Sequence, residues 1–248
     1  MTVTFFDIPS KAEGQAFSPA AWRIRYILNM RNIPYKTEWV ELPDIESRSK
    51  SLGIAPTGLK PDGTPFYTIP FIHDPSTGIC LSDSTHIAEY LEKTYPGPSS
   101  IFPHNTLGLQ SPFVDLFFST ALPAVWKFIV PSIDKIINPA GEAYFRATRG
   151  ELFGQPLEEV TPKGALGDAE WAKFREGLGK VDVWYSKTSG PYLLGDTISW
   201  ADIVVIAALT WMKVVWGEDS QQWKDISSWH GGRWGGLVDD FKKYTNVV

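Results

Sequence analysis

Two residue pairs in this 248-residue chain have the chemistry to hold a small peptide. Asp83-Ser84 opens a run in which Ile87, Tyr90 and Leu91 recur at helical spacing, and Ser82 or Asp83 can cap that helix. A helix start offers free N–H groups and a dipole that favour a bound carboxylate, while the Asp83 carboxylate suits an amine. Upstream, Ile69-Pro70 lies in an apolar, strand-like run. Proline cannot donate to a sheet ladder, so Pro70 belongs at a strand start, an edge or a bulge. The X-Pro bond has only a small trans preference, and a cis bond here would turn the N–H and C=O of Ile69 outward, free to pair with an extended ligand. The stretch therefore combines a strand edge for a peptide backbone with a socket for an amino-acid end.

These pairs need a scaffold, and the surrounding sequence reads as one. Tyr67 to Ile72 is rich in aromatic and β-branched residues and reads as a strand; Asp74 to Gly78 supplies turn chemistry, and Ile79 to Leu81 a return strand. Val3 to Phe6 reads as the first strand. After a loop from Asp7, Ser18 is placed as the N-cap and Pro19 as the first residue of a helix running to Arg31. In that helix Trp22 and Ile24 are assigned to packing, and Arg23, Arg25 and Arg31 to solvent or partners. Tyr35 to Leu42 reads as a second strand, Asp44 to Ser51 as a short polar helix, and Gly53 to Pro65 as loop. The order is βαβαββα, a thioredoxin-like arrangement.

Residues 96–105 hold Pro96, Gly97, Pro98 and Pro103 and read as a linker between a first domain, 1–95, and a second, 106–248. Beyond it strand signals mostly vanish. Leu107 to Ile137 reads as long and helical with interruptions near Pro123 and Pro131. Gly141 to Phe153 is a further helix, Gly154 to Gly167 loop, and Asp168 to Ser186 an amphipathic helix. Ser199 and Asp202 form a capping box, flanked by Ile198 and Ile203 as a hydrophobic staple.

Ile-Pro, a hairpin and Asp-Ser at a helix start, followed across a linker by this capping box, together resemble the glutathione transferases over essentially the whole chain. Phe17-Ser18-Pro19-Ala20-Ala21-Trp22-Arg23 further resembles the Ser-Pro-x-x-Trp-[Lys/Arg] opening of bacterial β-etherases and of the fungal etherase-type (FuA) class. The resemblance implies a thioredoxin-like domain followed by an all-helical one, glutathione as co-substrate, and a homodimer. It implies that a serine after the first strand stabilises the glutathione thiolate, Ser18 ahead of Ser10. Asp83 and Ser84 would hold the γ-glutamyl end, and the backbone at Ile69-Pro70 the cysteinyl unit. Lys36 is taken for the glycyl carboxylate, with Lys50 and Lys60 as alternatives. The position two before the proline, often basic in relatives, is Thr68. Trp22, Phe113, Phe117 and Trp126 are expected beside a second, hydrophobic aromatic substrate; each is otherwise a core residue.

Composition sets the outer bounds. A net charge of -5 with no Lys/Arg cluster argues against nucleic acid as the main partner. No apolar run reads as long enough to cross a bilayer, and the N-terminus lacks a signal-peptide layout. Cys80 is the only cysteine, so no intrachain disulfide is possible, and a reducing cytoplasm is expected. The four histidines show no metal-ligand spacing. The expectation is a cytoplasmic serine-type glutathione transferase acting on aromatic or ether-linked electrophiles. The competing readings are a ligandin for aromatic or polyphenolic compounds, supported by a Trp-rich second half, and an adaptor with a dead site.

Overall fold

A computed structural model describes residues 2–248. The chain divides into two compact units. The first comprises residues 1–100, 137–144 and 243–248; the second comprises 101–136 and 145–242. A single crossing at a 96–105 linker is thus too simple. Ile101 already belongs to the helical unit, where its C=O accepts from Trp200 N at 2.8 Å, and the chain returns to the first unit twice.

The first unit is built on β1 (Val3–Asp7), α1 (Pro19–Met30), β2 (Tyr35–Trp39), α2 (Ile45–Ser51), β3 (Gly58–Leu59), β4 (Pro65–Phe66), β5 (Phe71–Asp74), β6 (Ile79–Ser82) and α3 (Ser84–Thr94). The main sheet has the order β2-β1-β5-β6, with β1–β2 parallel and the other pairs antiparallel. The strand expected from Tyr67 begins only at Phe71, after the proline that has no N–H for the ladder. The expected loop 53–65 carries the start of a two-residue ribbon, β3–β4.

The arginines of α1 do not go to solvent. Arg25 is fully buried and donates to Asp7 Oδ2 at 2.8 Å and Thr37 Oγ1 at 3.1 Å. The rings of Phe5, Trp22, Tyr35 and Trp39 surround its guanidinium. Burial pushes the Asp7 carboxyl up while Arg25 pulls it down, and burial is the larger effect. Arg31 donates to the carbonyls of Leu91 and Tyr95 at 3.0 and 2.7 Å and pairs with Glu92, tying α1 to the end of α3. The β5–β6 hairpin is pinned to α3 by Asp74, which accepts from Ser76 N and Oγ and from the hydroxyls of Tyr90 and Tyr95 at 2.6–2.8 Å. Residues 243–248 line the outer strand: Tyr35 Oη donates to Asn246 O, and Thr37 N to Val248 O at 2.7 Å.

The second unit contains α4 (Leu107–Ile133), most of α5 (Pro139–Phe153), α6 (Leu157–Val160), α7 (Gly164–Tyr185), α8 (Trp200–Trp216) and α9 (Gln221–Phe241). The last is broken at residues 229–232, where His230, Gly231 and Gly232 take positive φ. Contrary to the sequence expectation, α4 runs unbroken through Pro123 and Pro131. With Pro112, three prolines lie inside the helix, at a cost of about 9 kcal/mol. Burying Leu122, Val125, Ile129 and Val130 returns roughly 6–12 kcal/mol, so packing against α7 and α8 carries the helix through. By length and composition α4 is also apolar enough to cross a bilayer, which the sequence reading did not anticipate. Its inner face is instead packed within this unit.

The capping box of α8 forms as expected: Ser199 N and Oγ donate to Asp202 Oδ2 at 2.9 and 2.6 Å. Gln110, on α4, completes the cap by accepting from Ala201 N at 2.8 Å while its Nε2 donates to Ile101 O at 3.3 Å.

Candidate functional site

Strand register decides which candidate residues meet. Phe6 of β1 stands opposite Phe71 of β5, and Phe71 opposite Ser82 of β6. The C-terminal end of β1, the Ile69-Pro70 segment and the start of α3 therefore share one end of the sheet. Ser18 opens α1 after the loop that leaves this end. Lys36 does not join them. It pairs with Thr4, toward the other end of β1 on the outermost strand, and is exposed. Lys50 is better placed among the three lysines. Its ammonium lies 5.6 Å from the centre of the Tyr67 ring, close in sequence to Ile69, and pairs with Glu46 at 2.7 Å. Lys60 also reaches Glu46, at 3.7 Å. Thr68 is hydrogen-bonded to Thr57 at 2.9 Å.

The Ile69-Pro70 bond is cis, and among the described residues neither the N–H nor the C=O of Ile69 has a hydrogen-bond partner. Asp83, at φ +72°, caps α3: its Oδ1 accepts from Thr85 N at 2.8 Å and His86 N at 3.1 Å. Ser84, 6% exposed, has an N–H that takes no partner among the described residues, and its Oγ accepts from Arg23 Nη1 at 3.1 Å. Burial draws the Arg23 pKa down to about 10, with the nearby Asp83 charge opposing the shift. Arg23 ends the Ser-Pro-x-x-Trp-[Lys/Arg] stretch noted in the sequence, but its contact with Ser84 spans 61 positions, so the motif did not show which group it meets.

Both candidate serines are buried, but their hydroxyls are committed differently. Ser10 Oγ donates to Gln15 O at 2.8 Å and accepts from Ala12 N at 3.2 Å, so its proton is spent inside its own loop. Ser18 Oγ accepts from Ala21 N at 3.4 Å and donates to no group among the described residues. A hydroxyl has one donor and two acceptor positions. Capping α1 occupies an acceptor position of Ser18 and leaves the proton available.

The aromatics expected around a second substrate have different surroundings. Trp22 is 5% exposed and packs in the core of the first unit beside Tyr26 and Arg25. On α4, Phe117 is 1% exposed and is a core residue, whereas Phe113 is half-buried against Trp184 and Tyr185 of α7. Trp126 is exposed and meets Trp211 of α8. Residues turn by about 100° each along a helix, so Trp126 lies roughly half a turn from Phe117 and the two do not share a face. Cys80 is half-buried on β6, where burial raises its thiol pKa.

Comparison with known proteins agrees with this architecture. The glutathione S-transferase N-terminal domain matches residues 17–94, and the glutathione S-transferase C-terminal domain matches residues 108–244. A glutathione S-transferase-like protein, ustS, of Aspergillus flavus is 30% identical over 94% of this chain and 87% of its own. The crystal structure of the glutathione S-transferase CsGST63524 of Ceriporiopsis subvermispora, in complex with glutathione, superposes with a TM-score of 0.95 at 41% identity, covering 100% of this chain and 99% of that one. GSTFuA2 of Phanerochaete chrysosporium gives a TM-score of 0.92 at 38% identity, with both chains fully covered. The chain belongs to the glutathione S-transferase family, in the neighbourhood of the fungal FuA enzymes.

Proposed function

We propose that the protein is a serine-type glutathione transferase in which Ser18 donates a hydrogen bond to the glutathione sulfur. The observation that carries this reading is the uncommitted Ser18 proton at the start of α1, beside the sheet end that also bears Ile69 and Asp83-Ser84. A hydrogen bond to a charged group is worth about 1.5–3 kcal/mol, and a helix N-terminus adds roughly 0.3–1. At about 1.4 kcal/mol per unit, the two together lower a thiol pKa by about two units. The thiolate then attacks the electrophilic carbon of a hydrophobic aromatic or ether-linked substrate, forming a C–S bond as the leaving group departs with its electron pair.

The remaining groups divide the tripeptide among them. The free N–H and C=O of Ile69 pair with the cysteinyl unit, Asp83 receives the γ-glutamyl amine, and Ser84 receives the adjoining carboxylate. Lys50 replaces Lys36 as the cation for the glycyl carboxylate. The glutathione bound to the Ceriporiopsis relative supports this ligand assignment. Activity as a homodimer is part of the reading, with α4 offering an exposed apolar stripe for it.

The test is a titration of the glutathione thiol in the complex by thiolate absorbance, in the parent and in Ser18→Ala. A depressed thiol pKa that rises by about one to two units in the variant supports the assignment. A depressed pKa unchanged by the substitution moves the role to backbone donors, and failure to bind glutathione overturns the function.

A further inference from the structure

We propose that Arg23 is a positioning residue for glutathione recognition, acting through Ser84 to turn its O–H toward the carboxylate of the γ-glutamyl end. The inference rests on the glutathione reading above. It starts from a donor count. Ser84 has one hydroxyl proton and two acceptor positions. Arg23 Nη1, 3.1 Å away, occupies an acceptor position from the α1 side. The proton is thereby directed away from Arg23 and remains available to a ligand. The Ser84 N–H, the first of α3, is likewise without a partner among the described residues. Together they offer two donors from one residue, which a carboxylate accepts on its two oxygens.

The cation also strengthens the donor it orients. A hydroxyl that accepts from a guanidinium is polarised and donates more strongly to a bound anion. Charge is distributed to match an α-amino acid: Asp83 presents a carboxylate for the amine, and Arg23 stands behind Ser84 on the side of the carboxylate. The cost of partly dehydrating the guanidinium is visible in its lowered pKa, and Asp83 offsets part of it. Arg23 remains charged at neutral pH.

Calorimetry on the full chain separates this role from simple packing of α1 on α3. Glutathione is compared with an analogue whose γ-glutamyl α-carboxylate is an uncharged carboxamide. For Arg23→Met, the expected result is an approximately tenfold weaker glutathione Kd, a change of less than about twofold for the carboxamide, and an unaltered thiol pKa. In a Ser84→Ala background, Arg23→Met should add less than about twofold, because the group it acts through is gone. Equal weakening of both ligands, or a full effect that persists in the Ser84→Ala background, overturns the inference and leaves Arg23 a structural residue. If Arg23→Met does not fold, Arg23→Lys goes through the same ligand pair, and a loss confined to glutathione supports the role while an equal loss for both ligands overturns it. A parent that binds neither ligand overturns the glutathione reading itself, a result distinct from either of these.

Discussion

Asp74 is the residue whose removal most directly tests how the hairpin beneath the candidate site is held. It is fully buried and accepts four hydrogen bonds, from Ser76 N, Ser76 Oγ, Tyr90 Oη and Tyr95 Oη. Burial alone would raise its pKa, but these donors outweigh it and hold the carboxyl at about 2, against an ordinary value of 3.8. That difference corresponds to about 2 kcal/mol of stability favouring the ionised form. Tyr90 and Tyr95 are only half-buried, so screening reduces the figure to roughly 1–2 kcal/mol. Because the folded pKa is depressed, the contribution is fully present above the unfolded pKa of about 4 and is lost as pH falls toward 2.

Asp74→Asn replaces two acceptor oxygens by one and introduces a donor facing two tyrosine hydroxyls. Urea unfolding of parent and variant should therefore differ by about 1–2 kcal/mol at pH 7, and the gap should shrink as pH approaches 2. The comparison between parent and variant cancels the other carboxylates that titrate over the same range. A gap that stays constant from pH 7 to pH 2 refutes the reasoning, since it assigns the loss to packing rather than to the charge.

Two further outcomes follow from the packing. Asp7→Ala leaves the Arg25 guanidinium buried without its carboxylate, and chemical denaturation should register a loss of about 3–5 kcal/mol. On α4, Leu109, Leu116 and Trp126 are exposed, with Pro112 and Pro123 between them at heptad spacing. Leu116→Glu places a charge in the middle of this stripe and should shift a homodimer to monomer in light scattering, with the thermal midpoint of the monomer little changed.

What could be read from the sequence was whatever local spacing encodes. Ser18-Pro19, Asp83-Ser84 and Ser199-x-x-Asp202 announced three helix starts, because caps act within four residues of one another. The Ile69-Pro70 segment and the order of elements along the first unit followed from strand and turn chemistry. What local spacing does not encode is what lies across the fold. Arg23, Arg25 and Arg31 look alike on a helical pattern, yet each is matched to a distant partner: Ser84, Asp7 or the carbonyls that end α3. Pro123 and Pro131 were read as breaks because their cost is local, whereas the burial that repays it comes from α7 and α8. Lys36 failed for the same reason, since only the register with Thr4 shows which end of the sheet it occupies.

Ser18 illustrates why atom-level accounting changes a conclusion that residue-level accounting leaves open. A serine that caps a helix looks already employed, and capping and thiolate stabilisation look like competing tasks. They draw on opposite sides of the hydroxyl: the cap uses a lone pair, and a thiolate takes the proton. The tasks can reinforce one another, because a hydroxyl that accepts from the Ala21 N–H becomes a stronger donor in turn. Ser10 fails the same accounting, since its proton already belongs to Gln15 O. Ser84 passes it, with Arg23 in the place of the backbone N–H. At both helix starts a serine accepts from within the protein, and among the described residues its proton has no acceptor.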